Sequence, residues 1–186
     1  MADFWTSNTM EPKRGFRFLI QWNIDGKNLQ FVAKSVSRPS FTVTSNPHKF
    51  FNHTFHYPGR VEWGTVSMTL VDALDPNGAE VFMKYLSDIG YISPEMGSPA
   101  TSADSDNMTS KTITKSTATA AAAGLTIKEM GTADNSNEAV VQGEWRLKNA
   151  FITSVNFGEH SYDSEDMIDI QLDIQYDWAN YKNLRS

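Results

Sequence analysis

Ile168-Asp169-Ile170-Gln171-Leu172-Asp173-Ile174-Gln175-Tyr176-Asp177-Trp178 is the most regular stretch of this sequence. Ile168, Ile170, Leu172, Ile174, Tyr176 and Trp178 alternate with Asp169, Gln171, Asp173, Gln175 and Asp177. Successive side chains of a strand point to opposite faces, so the stretch predicts one strand with an apolar face and an acidic ladder. A strand of this kind belongs to an antiparallel sheet, one face on the core and the other on water.

Upstream, residues 158–165 form a polar turn, and residues 138–157 read as a long bent strand or a strand pair, with Gly143 and Asn149 as bulge positions. Near the N-terminus, Phe16, Phe18, Ile20 and Trp22 alternate with polar and aliphatic neighbours. Asp25-Gly26 marks a hairpin turn, residues 29–35 resume as a strand, and Arg38-Pro39 ends it. Residues 41–45 form a short β segment, and residues 46–60, rich in aromatics and bounded by prolines, read as a projecting hairpin or long loop. Val61 to Val71 alternates again, with Val66, Met68 and Leu70 on one face.

One helix is predicted, over residues 76–89. Asp75 suits the N-cap, Pro76 the first helical position, and Gly90 the left-handed residue after the end. Val81, Phe82, Tyr85, Leu86 and Ile89 share its apolar face. From Ile92 to Glu144 no aromatic occurs, although the chain has 11 Phe, 5 Trp and 6 Tyr. Such a stretch buries too little apolar surface to offset the entropy of ordering it. It reads as a low-complexity mobile insertion at about 92–137, with a weak strand or turn near Leu125–Met130 and an alanine run, Ala120–Ala123, too short for an independent helix. The expected architecture is a single domain over 1–186: a mainly β, antiparallel sandwich or partly closed barrel of about seven strands with one packed helix.

Composition narrows the function. The chain has 186 residues, no cysteine and a formal net charge of −6. Disulfide scaffolds, thiolate metal sites and thiol nucleophiles are excluded. The N-terminus lacks the pattern of a signal peptide, and no apolar run reaches the roughly 20 residues of a membrane span. The expectation is therefore a soluble protein made in the cytoplasm, with the Asn-x-Thr triplets at Asn52 and Asn107 unglycosylated. Charge is concentrated late: residues 1–91 carry 9 Lys/Arg and 8 Asp/Glu, and residues 92–186 carry 7 and 14. A protein that grips nucleic acid needs the opposite sign.

No catalytic signature emerges. His48, His53 and His56 cluster, but on a single strand His53 faces away from the other two, against a shared metal ion. Asp163, Glu165, Asp166 and Asp169 lack the spacing of a calcium loop. Glu62 with Asp72, or a pair of the late acids, would make a glycosidase dyad only if buried, and nothing in the sequence indicates that. Nucleophile-elbow, phosphate-loop and dinucleotide glycine patterns are absent. No enzyme, cofactor or metal site is expected.

The order of elements, however, resembles a known family. The opening strand Phe16–Trp22 and the break Ser37-Arg38-Pro39 are followed by Tyr57-Pro58-Gly59-Arg60, Trp63-Gly64-Thr65-Val66-Ser67-Met68-Thr69-Leu70-Val71-Asp72 and the short helix. Gly143-Glu144-Trp145, Leu147-Lys148-Asn149-Ala150-Phe151 and the ladder to Tyr176-Asp177-Trp178 close the series. Over about 14–90 and 138–178 this is similar to the tail-tube proteins of contractile-tailed bacteriophages; residues 92–137 depart from the pattern. The resemblance implies hexameric rings, each subunit adding sheet to a continuous inner barrel, stacked into a hollow tube inside a contractile sheath. Implied partners are other copies of the chain, the sheath protein, and baseplate and terminator proteins, with DNA as transient cargo. The implied location is the virion tail, assembled in the host cytoplasm. Within that frame Asp169, Asp173 and Asp177 are candidates to face the lumen, and Phe50, Phe51, Phe55, Tyr57 and Arg60 are candidates for contacts between subunits or rings. Alternatives with the same fold are a baseplate tube initiator or a type VI secretion tube. A more distant one is a monomeric β-barrel module that binds a ligand or carbohydrate through Trp22, Trp63 or Trp145.

Overall fold

The computed structural model describes residues 13–24, 27–29, 32–91, 112–122, 124–132, 139–163 and 165–184. Its strands are β1 (Phe18–Gln21), β2 (Asn23–Ile24), β3 (Lys27–Asn28), β4 (Ala33–Val36), β5 (Phe41–Phe50), β6 (His53–Trp63), β7 (Val66–Val71), β8 (Thr126–Thr132), β9 (Ala139–Lys148), β10 (Phe151–Asn156), β11 (Asp169–Gln175) and β12 (Trp178–Asn183). The helices are α1 (Gly78–Asp88) and α2 (Lys115–Ala121). One four-stranded sheet has the order β1-β8-β9-β12 and a second the order β10-β11-β7-β4; β2-β3 and β5-β6 form separate pairs. All of these strand pairs are antiparallel. The mainly β, antiparallel sandwich expected from the sequence is present.

Its centre is the β7–β11 pair. Ile170 stands opposite Leu70, Leu172 opposite Met68 and Ile174 opposite Val66. All six are buried in one cluster with Ile20, Trp22, Val81, Phe82 and Leu147. At about 1.5–3 kcal/mol for each fully buried large side chain, these pairs dominate the hydrophobic gain of the second sheet. The alternation in 168–178 therefore does what its pattern predicts between Asp169 and Gln175.

Beyond Gln175 the expectation fails. The chain turns at Tyr176-Asp177 and re-enters as β12 in the other sheet, so the predicted single strand is two. Trp178 is 44% exposed and Ala179 is buried, because the core-facing phase is reset at the turn. The partner strand bends opposite, at Asn149, whose φ is +54°. Lys148 pairs with Trp178 before the bend and Phe151 with Gln175 after it, which is one uninterrupted register. The Asp177 amide bonds the Lys148 carbonyl at 3.0 Å across the corner. Thus β9-β10 and β11-β12 are one long hairpin folded over into both sheets, as sandwich corners are made. Gly143 does adjoin a bulge, between Glu129 and Met130 of β8.

Helix α1 begins later than predicted. Asn77, not Asp75, is the N-cap: its side chain accepts from the Glu80 amide, while the Asp72 carboxylate accepts from Gly78 N–H. At the other end Gly90 has φ +110°, its amide reaches the Ser87 carbonyl, and the Tyr91 amide reaches the Leu86 carbonyl. This is the glycine-terminated arrangement expected there. Val81, Phe82, Tyr85 and Ile89 are buried and Leu86 packs against them.

Where the segment 92–137 is described, it contributes the inner strand β8, at the place where a weak strand or turn is expected near Leu125–Met130, and the unexpected helix α2. Helix α2 is short and rich in Thr, but Thr114 and Thr117 form a reciprocal cap. Ala118 and Ala122 are buried, the Trp22 indole donates to the Ala122 carbonyl, and Thr117 Oγ1 donates to the Ile89 carbonyl at the end of α1. Small residues let the helix approach closely, so tertiary contact supplies what propensity does not. A second packed helix thus joins the one expected. The expected turn Asp25-Gly26 lies outside the described residues, with β2 and β3 paired on either side of it.

Candidate assembly surfaces

The features that stand out among the described residues are surfaces. The first is an arm. Val36 pairs with Met68 inside the sheet, and Phe41 pairs with Trp63 outside it, in the same register. Ser37 N–H to the Ser67 carbonyl and Gly64 N–H to the Ser40 carbonyl, both 2.9 Å, bridge the interval. Strands β5 and β6 are therefore β4 and β7 continued past the end of their sheet. The expected projecting hairpin is present and begins at Phe41, earlier than residue 46. Its strands of 10 and 11 residues extend about 33 Å at the usual rise.

Cross-strand partners share a face. Near the root, Phe41, Val43, Val61 and Trp63 lie together. Between Val43 and Ser45 the register shifts, with one extra residue on β6. Thr44 Oγ1 accepts from the Arg60 amide there at 2.8 Å. Any Cβ on Gly59 would come within 3.0 Å of the Thr44 carbonyl oxygen, so the bulge needs glycine. Past the bulge the aromatic stripe crosses to the other face: Tyr57, Phe55 and Phe50 line up with His48 and His53, and Phe51 caps the tip. Phe51 is 90% exposed and Phe50 and Tyr57 are each 58% exposed. Four of the five predicted contact residues thus form one distal aromatic surface, with exposed Arg60 at the bulge behind it. The histidine expectation is corrected: pairing in a hairpin puts His48 and His53 on one face, and His56 on the other beside Ser45 Oγ at 3.2 Å. Among the described residues no three His, Asp or Glu side chains gather as a metal site.

The second surface is the outer face of β10-β11-β7-β4. Asp169 and Asp173 lie on it, and neither is bare. Lys34 Nζ is 2.5 Å from Asp169 Oδ2, the other oxygen of Asp169 is buried without a hydrogen-bond partner, and Ser67 Oγ donates to Asp173 at 2.7 Å. Asp177 stands apart, in the corner. Lys115 reaches both its oxygens at 2.6–2.8 Å and Asn149 Nδ2 donates at 2.6 Å. Those hydrogen bonds, Lys115 first, hold its carboxyl below the ordinary range. Lys115 was invisible as a partner in the sequence because it sits in the low-complexity segment. The outer face of β1-β8-β9-β12 has the opposite sign: Lys128 and Lys182 flank Glu144 in register, and Arg146 bonds it at 2.6 Å.

A third feature escaped the sequence reading. Glu129 is buried and gathers Lys13, Arg38, the Trp145 indole and the Tyr181 hydroxyl. Burial pushes its carboxyl up, but the Lys13 hydrogen bond and the Arg38 charge outweigh this and hold it low. The cluster ties together the N-terminal segment, the strand leading into the arm, and β12. Of the tryptophans proposed as ligand platforms, Trp22 is fully buried, and Trp63 and Trp145 pack against the core.

Among the described residues no helix is long and apolar enough to cross a membrane. No family model matches the sequence, and no curated protein matches it. Solved structures do. A chain in the anti-feeding prophage tube-terminating cap aligns with TM-score 0.62 and 14% identity, over 98% of this chain and 99% of that one. A chain in the 6-fold symmetrised anti-feeding prophage baseplate gives 0.61 and 12% identity, over 95% and 99%. A chain in the sheath-tube complex of an extracellular contractile injection system gives 0.57 and 15% identity, over 96% and 99%. Over nearly its whole length, the chain has the fold of these chains from the anti-feeding prophage and an extracellular contractile injection system.

Proposed function

We propose that this chain is a tube subunit: six copies close into a ring, and rings stack into the hollow inner tube of a contractile phage tail. The arm carries this reading. A lone two-stranded hairpin is marginal in water, and a contiguous exposed apolar stripe marks a surface that another protein covers. Strand edges support it: among the described residues β1, β4 and β12 each pair on one side only, which favours pairing between subunits as a ring closes. By contrast β10 is blunted, because its Ile152 amide donates to the buried Tyr85 hydroxyl of α1.

The outer face of β10-β11-β7-β4 is our choice for the lumen, with Asp169 and Asp173 along the wall and Asp177 at its margin. Six copies of −6 give about −36 per ring, a field that repels phosphates rather than releasing counterions onto them. DNA would then pass as cargo without being bound. The basic outer face of the other sheet would hold it. In this reading the sheath protein surrounds the tube, baseplate and terminator proteins close its ends, and the chain has no enzymatic role. The tube is built in the host cytoplasm and works in the virion tail. The sheath-tube, cap and baseplate assemblies that contain chains of this fold support such partners.

The near-equal likeness to a baseplate chain favours one other role, a tube initiator. Negative-stain microscopy of the purified protein separates them. Tubes of indefinite length support the tube subunit, particles that stop at one ring support the initiator, and dispersed monomers overturn both.

A further inference from the structure

The arm and the β10–β11 loop leave opposite ends of the same sheet. Val66, next to the arm root, pairs with Ile174; Val71 pairs with Asp169, next to the loop, and the Asp72 amide bonds the Ile168 carbonyl at 2.8 Å. About 20 Å of strand separates the two ends at the usual rise. The two surfaces are also complementary. Between residues 41 and 63 the arm has Lys49, Arg60 and three histidines against Glu62 as its one carboxylate. Residues 157–168 hold Glu159, Asp163, Glu165 and Asp166 and neither Lys nor Arg. The loop exposes Phe157, Tyr162 and Met167, and a cleft opens between it and the start of β11. Aromatic side chains on the arm tip therefore have apolar counterparts on the loop, and Lys49, on the other face of the tip from Phe50 and Phe55, has carboxylates there to meet.

We infer that the arm tip of one copy, Phe50, Phe51 and Phe55 with Lys49, seats against the 157–168 loop of a second copy in the adjoining ring. This rests on the tube reading and names the acceptor for the arm. A donor and an acceptor at opposite ends of one chain make a head-to-tail contact, which does not close and so propagates along an axis. The acidic loop then serves as the acceptor of the next ring, and its exposed apolar residues acquire an occupant.

The absence of cysteine makes the test direct. Asn52→Cys, beside Phe51 at the tip, and Ser161→Cys, beside Tyr162 in the loop, both at exposed positions, are combined in one chain and treated with a short bismaleimide after assembly. Head-to-tail contact predicts a ladder of linked chains extending beyond the dimer under denaturing conditions, with the ladder lost in either single variant. Tubes that form normally but give no linked species, or only dimers, overturn the arm–loop contact and leave the tube reading intact. If the unmodified protein forms neither rings nor tubes, both fall together.

Discussion

The rings of Trp63 and Tyr176 lie 5.8 Å apart, in the fork where the arm runs straight on and the other hairpin bends into the second sheet. Phe41 also packs on Trp63, the rings tilted at 58° with centroids 5.5 Å apart, and the Tyr176 hydroxyl donates to the Ser40 carbonyl at 3.4 Å. Trp63 therefore anchors the arm root. Trp63→Ala should lower subunit stability by about 2 kcal/mol, less than for a fully buried ring. It should also speed amide exchange through residues 41–63; urea unfolding and hydrogen exchange measure the two effects.

The arm tip should behave oppositely. Phe50, Phe51 and Phe55 touch nothing in the core, so Phe51→Ser and Phe55→Ser should leave unfolding of the isolated subunit within about 0.5 kcal/mol of the parent. The same variants should abolish stacking in sedimentation. Equal loss of fold and assembly would refute an assembly role.

Asp177 sets a pH dependence. Its folded carboxyl is held low by Lys115 and Asn149, so its contribution is complete above the unfolded carboxylate range and is lost as pH falls through the lower folded value. Asp177→Asn should be less stable than the parent near neutral pH, and the difference should shrink on acidification. Asn149→Ala should cost about 1 kcal/mol at neutral pH, because φ +54° suits Asn or Gly. Denaturant midpoints across pH test both.

Glu129 holds its neighbours by charge and by hydrogen bonds. Glu129→Ala should cost about 2–3 kcal/mol, since it strands the Trp145 and Tyr181 donors and separates Lys13 and Arg38 from their shared acceptor. Glu129→Gln, which keeps an acceptor, should recover part of that loss in thermal unfolding.

What the sequence disclosed follows from the range of the physics involved. Ile170, Leu172 and Ile174 were legible because a buried face imposes a period of two on neighbouring residues. The corner was not, since Tyr176-Asp177-Trp178 keeps that period while the backbone changes sheet, and the bend depends on Asn149 far upstream. Helix α2 was missed because its stability comes from Ala118 and Ala122 against a core assembled from distant strands. Asp75 and Asn77 are both good caps by type; the choice between them rests on which side chain reaches the Glu80 amide. The aromatics of the arm were recognisable as exposed, but their common face depends on cross-strand register and on an extra residue near Gly59. The sequence could show that Asp169, Asp173 and Asp177 are acidic, not that Lys34, Ser67 and Lys115 meet them.

Native mass spectrometry of the freshly purified chain reads the ring itself. A tube subunit should give a sixfold species, about six times the 20.8 kDa subunit, together with its multiples. A single 20.8 kDa species across the micromolar range would contradict it.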